Sequence, residues 1–265
     1  MISKNLLKLI RSLETKKGRK KENLYVAEGP KVVGDLLCHY HAVRLIATEE
    51  WFVHNRLTPR PEIDAVVNEE ELKRISFLQH PQQVIGLFEL REQKPDHISS
   101  ADEPSSNLIL ALDGVQDPGN MGTIIRIADW FGITDIVCSE DSADAFNPKV
   151  VQATMGSIAR VNITYTNLVD YLKNQPVGTP IYGTLLDGEN IYTEELTRYG
   201  IIVMGNEGKG ISQPVRQLIN RRLLIPAYQS NGEIMQGHQE SRDKAESLNV
   251  AIATAITCAE FRRRS

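Results

Sequence analysis

Between residues 108 and 138 the pattern of apolar and polar positions changes period twice. Leu108 to Leu112 is an unbroken apolar run, short enough for a buried strand. Asp113-Gly114 opens a loop, and Asp117-Pro118-Gly119-Asn120 supplies turn residues, with Gly119 free to take a positive φ. From Met121 the apolar residues Ile124, Ile125, Ala128 and Phe131 recur at helical spacing, Gly132 is a natural stop, and Ile133 to Cys138 reads as the next strand. The pattern predicts a β-loop-α-β unit whose loop ends at a helix N-terminus, where backbone N–H groups can meet a polar ligand. Arg126 is a cation inside this otherwise apolar helix. Spacing alone also permits a surface ion pair between it and Asp129.

Upstream, Leu6, Leu7, Leu9, Ile10 and Leu13 predict an amphipathic first helix, and Thr15 to Asn23 is too charged for a core. Leu24 to Ala27 is a short apolar piece, and Pro30 starts a helix carrying Val32, Val33, Leu36 and Leu37. Strands are expected at Val43–Ala47, Ile63–Val67 and Val84–Leu90, with a short helix to Ile75 opened by an Asn68/Glu71 capping box. Residues 1–92 are thus expected to form a small α/β domain. Residues 93–106, rich in Pro, Ser and Asp, read as a linker. In residues 107–265 the α/β alternation resumes. Helices are expected from about Pro148 to Ser157, after Ser212 and from about Leu248 to Arg263; strands are expected at Arg160–Tyr165, Ile181–Leu185, Ile201–Met204 and Leu223–Ile225.

The net charge of −4 argues against wholesale coating of a polyanion, yet residues 1–22 hold eight basic side chains against two acidic ones. That run, which includes Lys16, Lys17, Arg19, Lys20 and Lys21, is either a solvated face or an arm that contacts phosphates. Cys38, Cys138 and Cys258 lie far apart, so no metal-ligand pair or disulfide framework follows and a reducing compartment is the simplest inference. The first apolar run is broken by Lys8 and Arg11 and is no signal peptide, and no stretch approaches the ~20 apolar residues of a membrane span. A cytoplasmic protein without a membrane partner is expected.

Three polar or glycine-rich loops follow apolar strands in the second domain: Asp117–Thr123, Gly205–Ser212, and the stretch from Ile225-Pro226 to Glu246-Ser247-Leu248-Asn249. In open α/β sheets ligands sit beyond the carboxyl ends of strands, so these loops can converge on one crevice. Gly205 to Lys209 is too short for a phosphate loop, and Gly210 stands where that motif needs Ser or Thr. Glu207 among glycines is a carboxylate held by tight backbone, whereas Ser212, Ser247 and Asn249 are equally explained as helix N-caps. His39, His41 and His238 lack partners at ligand spacing, and no G-x-S-x-G elbow is present.

Taken in order, DPGNMGTIIRIADWFGI, IVMGNEGKGIS and IP…ESLNVAIATAI resemble the three motifs of the SpoU (TrmH-like) family of RNA ribose methyltransferases, within the SPOUT superfamily. The connecting FNPKVVQATMGSIARV is also typical of it, and LIRSLETKKGRKKENLYVAEGPKVV resembles the ribosomal-protein-like substrate-binding domain that many members carry. The resemblance implies an α/β fold with a C-terminal parallel sheet and a deep trefoil knot. It also implies a homodimer sharing the last helix, and S-adenosylmethionine bound by Met204, Gly205, Asn206, Gly208, Ile225, Pro226, Leu248 and Asn249. The implied reaction is methyl transfer to a ribose 2′-hydroxyl of structured RNA, ribosomal or transfer, with Asn120, Arg126, Glu207, Ser247 and Asn249 as catalytic residues and no metal. Arg126 and the basic stretch would contact RNA. The rival from another class is a non-catalytic RNA-binding or ribosome-assembly protein that keeps the fold. Nineteen residues separate Pro226 from Glu246, where relatives have only a few, so Ser230–Lys244 is expected to be a surface insertion near the cofactor.

Overall fold

The computed structural model describes residues 2–91, 107–228 and 247–264. The expected linker, residues 93–106, and the insertion Ser230–Lys244 lie outside the described residues. So does the stretch 229–246, which the expected knot includes. The chain divides into two compact units, Met1–Glu92 with Asp144–Arg160, and Gln93–Ala143 with Val161–Ser265. Among the described residues no helix is long and apolar enough to cross a membrane.

The first unit is a four-stranded sheet in the order β1 (Leu24–Glu28), β4 (Val84–Glu89), β2 (Arg44–Ala47), β3 (Ala65–Val66). β4 pairs antiparallel with both neighbours, and β2 with β3 is parallel. Side chains alternate across the strands. Val26, Ile46, Ile85 and Leu87 therefore face one way, onto Leu6, Ile10 and Leu13 of α1 (Lys4–Ser12) and Leu72 and Ile75 of α5 (Glu69–Ile75). The Asn68/Glu71 capping box is formed. On the opposite face Tyr25 stacks on Phe88, with ring centroids 5.8 Å apart, and meets Phe146 at 4.8 Å. α3 (Pro30–Leu37) buries Val32, Val33 and Leu36, as their spacing predicts.

The charged stretch 15–23 departs from expectation. It forms α2 (Lys16–Glu22), with Thr15 capping its start and Asn23 ending it at φ 54°. Arg19 is only 2% exposed and donates to Leu13 O, Glu14 O and Asp144 Oδ2 at 2.8, 2.8 and 2.5 Å. Expected as an RNA contact, Arg19 instead spends these donors inside the unit, because its guanidinium closes the α1–α2 turn onto a carboxylate. The expected strand Ile63–Val67 shrinks to β3, and α4 (Glu49–His54) was not foreseen. The helix expected to Ser157 stops earlier, as α7 (Pro148–Ala153): Met155 at φ 52° and Gly156 at φ 95° turn the chain into a 3-10 turn at Ser157–Ala159.

The second unit is a six-stranded, wholly parallel sheet. Its order is β10 (Arg221–Leu224), β8 (Ile181–Asn190), β9 (Gly200–Gly205), β5 (Leu108–Asp113), β6 (Asp135–Cys138), β7 (Asn162–Tyr165). Its central strands are apolar on both faces, as sheets covered on both sides require. Ile109, Ala111, Ile201 and Val203 pack with α8 (Leu168–Lys173) and α9 (Gln213–Arg216) in one core. On the alternate face Tyr182 meets Phe261 of α10 (Val250–Arg263) edge to face at 4.8 Å. α6 (Pro118–Trp130) starts three residues before the expected Met121. Asp117 caps it and Pro118 fills its first position, where a missing N–H costs nothing. The positive φ expected at Gly119 falls instead on Gly114, at 70°.

From β5 the chain proceeds through α6 to β6 and β7 on one side, while β9 lies on the other. The carboxyl ends of β5 and β9, with Asp113 opposite Gly205, thus meet at the point where strand order reverses. Such a switch point opens a crevice.

Candidate active site

Two of the three loops join at this crevice through backbone and short polar side chains. Asp113 ends β5 and accepts a hydrogen bond from Ser212 N at 2.6 Å. Ser212 therefore meets β5 through its backbone, and its side chain does not cap α9 as the sequence suggested. Gly114 N donates to Ser139 Oγ at 2.8 Å and Gly114 O accepts from Asn206 Nδ2 at 2.7 Å, so β5, β6 and β9 are tied at one corner. A β carbon on Gly114 would sit 3.3 Å from Asp141 Oδ2, and φ is already left-handed there.

The second loop folds on itself. Asn206 and Gly210 exchange backbone hydrogen bonds at 3.0 and 2.9 Å, while Asn206 Oδ1 accepts from Gly208 N and Lys209 N at 2.9 and 3.0 Å. This side chain-to-backbone turn needs an amide two residues on. A β carbon on Gly205 would lie 2.4 Å from Gly210 C, so only glycine allows the loop to close. Glu207 is left projecting, half-buried, toward α6.

Asn120 joins all three loops. Its Nδ2 donates to Glu207 Oε1 at 2.8 Å, and its Oδ1 accepts from Asn249 Nδ2 at 2.9 Å. Asn249 Oδ1 in turn accepts from Ala251 N and Ile252 N, at 3.0 and 3.3 Å, at the start of α10. The direction of this chain is forced. An ionised carboxylate only accepts and helix N–H groups only donate, so each amide between them has one permitted orientation. Asn249 is thus both the helix cap that spacing suggested and a bridge to Asn120.

Arg126 lies on α6 six residues after Asn120 and is exposed. The ion pair with Asp129 is not formed: Arg126 has no hydrogen-bond or ion-pair partner among the described residues. Ser247 and Leu248 precede the cap and are exposed, Leu248 by 48%. Met204 is buried, its sulfur facing Thr184 Oγ1 at 3.6 Å. Half-buried Ile225 and buried Pro226 follow β10, two strands from β9 across β8, and among the described residues no side-chain hydrogen bond ties them to Asn120. Asp113, Ser139 and Asp141 were not foreseen; the Asp113-Gly114 pair, a strong turn signal, was the only hint. Among the described residues no group of acidic, histidine or cysteine side chains could hold a metal.

In the first unit, Lys16, Lys17, Lys20 and Lys21 are exposed, and Lys21 pairs with Glu22 at 3.1 Å. Buried Arg19 is not part of this surface.

Comparison with known proteins follows this division. The SpoU rRNA Methylase family matches residues 107–234, and the MRM3-like substrate binding domain matches residues 4–86. The chain is 30% identical over 252 residues to the 23S rRNA (guanosine(2553)-2'-O)-methyltransferase RlmP of Bacillus subtilis, covering 93% of this chain and 91% of that protein. A solved structure from Porphyromonas gingivalis, assigned to the TrmH family of RNA methyltransferases, is 42% identical, with a TM-score of 0.84 and full coverage of both chains. An AdoMet-bound rRNA methyltransferase from Sinorhizobium meliloti is 31% identical at a TM-score of 0.81, covering 100% of this chain and 96% of that one. The parallel sheet, the order of the three loops and these likenesses agree: the chain belongs to the SpoU family of rRNA methylases.

Proposed function

We propose that this protein methylates a ribose 2′-hydroxyl of ribosomal RNA with S-adenosylmethionine as donor. The observation that carries this reading is the chain Glu207–Asn120–Asn249, which ties the three loops together, with Arg126 six residues further along α6 and its side chain without a partner among the described residues. The curated relatives named for 23S rRNA support the ribosomal substrate.

The residues present fit the donor. A side chain at Gly205 would strike the backbone of Gly210 and Ile211, and Gly210 is left-handed at φ 69°, so this loop offers backbone groups to recognise a nucleoside; Ile225, Pro226 and Leu248 would supply apolar contact. Met204, Gly205, Asn206, Gly208, Ile225, Pro226, Leu248 and Asn249 would hold it. When bound, the donor supplies an electrophilic methyl group on a sulfonium. The protein must bring the ribose oxygen into line with that carbon and assist loss of its proton. A guanidinium is protonated at every working pH, so Arg126 acts as a cation: it orients the neighbouring phosphate and stabilises the oxygen as negative charge develops. Asn120, Glu207 and Asn249 hold the loops in place, and exposed Ser247 can reach the ribose.

Residues 1–92 serve as the substrate-binding domain, with Lys16, Lys17, Lys20 and Lys21 adding sequence-independent attraction for phosphates. Residues 107–265 are the catalytic domain, and Arg126 also contacts the RNA. The protein works in the cytoplasm as a homodimer, its α10 surface covered by a second copy. Ile252 of α10 is 52% exposed, Leu248 just before it 48%, and Trp130 of α6 84%.

Calorimetric titration with S-adenosylmethionine, with S-adenosylhomocysteine and ATP in parallel, tests the cofactor: the first two bind saturably and ATP does not. Arg126→Ala is expected to lower methyl transfer by about a hundredfold or more while the cofactor Kd shifts less than about twofold. Equal loss of both would make Arg126 structural. RNA binding with no cofactor affinity would favour the non-catalytic reading.

A further inference from the structure

Side-chain hydrogen bonds join α6 and α10 at both ends. At their starts Asn249 Nδ2 donates to Asn120 Oδ1 at 2.9 Å. At their finishes Arg262 Nε donates to Phe131 O at 2.7 Å, and Nη2 to Gly132 O at 3.1 Å. The helices therefore run parallel, and at 1.5 Å rise per residue the two bonds are about 20 Å apart along α10 and about 17 Å along α6. Between them the contact has little direction along the axis. The buried hydroxyls of Thr254 and Thr257 are turned back onto Val250 O and Ala253 O of α10 itself, at 2.7 and 2.8 Å. Apolar packing resists separation more than it fixes axial register. The ends must set it.

The Arg262 end is built for that task. The last carbonyls of a helix lack partners and carry partial negative charge, so a forked cation is well suited to them. Gly132, at φ 63°, ends α6 there. On its other side the same end of α10 is pinned through Arg264, which donates to the carbonyls of Ile191, Tyr192 and Glu194 and to Glu260 Oε1.

We propose that Arg262 is a positioning residue for methyl transfer: by capping α6 it fixes the axial register of α10, and thereby holds Asn249 on the Asn120–Glu207 pair. The proposal rests on the methyl-transfer reading and adds a residue outside the three motif loops. Displacements of about 1 Å at a site can cost about a hundredfold in rate, so a clamp far along the helix can govern turnover.

The test compares Arg262→Gln, Arg262→Lys, Asn249→Ala and the Arg262→Gln/Asn249→Ala double variant. Arg262→Gln is expected to lower kcat about tenfold, with KM for RNA within about twofold and the cofactor Kd weakened no more than by Asn249→Ala, and lysine, which keeps the charge but not the fork, to recover part of the loss. The double variant should be no slower than Asn249→Ala alone. Multiplying losses would mean that Arg262 does not act through Asn249, and would overturn the proposal. A second readout needs no activity: amide hydrogen exchange at Ala251 and Ile252, whose N–H groups Asn249 caps, should quicken in Arg262→Gln. Faster exchange confined to the last turn of α10 would overturn it. If the wild-type protein transfers no methyl group, the reaction reading falls and exchange alone decides the clamp. If Arg262→Gln fails to fold, Arg262→Lys carries both measurements.

Discussion

Asn120 is the residue on which the site's polarity turns. It presents a donor to Glu207 and an acceptor to Asn249, and no other residue of its length offers both. Asn120→Ala removes two partly exposed hydrogen bonds, a loss of about 1 kcal/mol that should appear as a lower Tm. Methyl transfer should fall by about tenfold to a hundredfold as the loops lose their common anchor. Asn120→Asp should be worse than alanine near neutral pH, because it sets a second carboxylate against Glu207; a rate series across the two variants checks the order. At this scale the sequence was partly legible. Asn120, Glu207 and Asn249 stand in the three motifs, but spacing alone offered Asn249 only as a cap. The tie among Asp113, Gly114, Ser139 and Asn206 could not be read, because its bonds cross 25 to 99 residues of chain and no local pattern records them.

Among the elements, long apolar periods were the most legible. The β5–α6–β6 unit, the apolar strand β9 and the final helix all appear where periodicity placed them. The start of α6 was misplaced because Asp117-Pro118 serves equally as turn chemistry and as a helix cap followed by proline. α4 and α8, six residues each, are too short to show a period, and only Thr48 and Asn167, which cap them, signalled their presence. α10 carries a pH-dependent feature at its end. Hydrogen bonds from Arg263 and then Arg264 hold the Glu260 carboxyl at about 2, below its usual 4.5, against the opposing effect of burial. The folded state therefore binds the proton less readily than the unfolded one. The stabilisation is complete above about pH 4.5 and is lost as pH falls toward 2. Thermal melts across that interval should fall more steeply for the wild-type protein than for Glu260→Gln. Parallel slopes would remove Glu260 from the account.

For the whole molecule, the modest net charge of −4 conceals a basic run at residues 1–22 and a second unit whose loops carry carboxylates. Composition exposed that asymmetry but could not sort the cations. Four lysines of the run face solvent, whereas Arg19 is committed to Asp144 and two carbonyls. Removing each kind should have a different effect. Lys17→Ala, Lys20→Ala and Lys21→Ala should weaken RNA binding uniformly across sequences, each reducing the salt slope by about 1. Arg19→Met should leave that slope unchanged but destabilise the first unit by about 3 kcal/mol, because Asp144 loses its partner. Filter binding over a salt series, with melts alongside, separates the two. The most direct test of the central claim is transfer of a labelled methyl group from S-adenosylmethionine to 23S rRNA, followed by nucleoside mass spectrometry. Label on a ribose 2′-oxygen, absent with Arg126→Ala, is the result predicted here. Label on a base, or none with cofactor and RNA both bound, would contradict it.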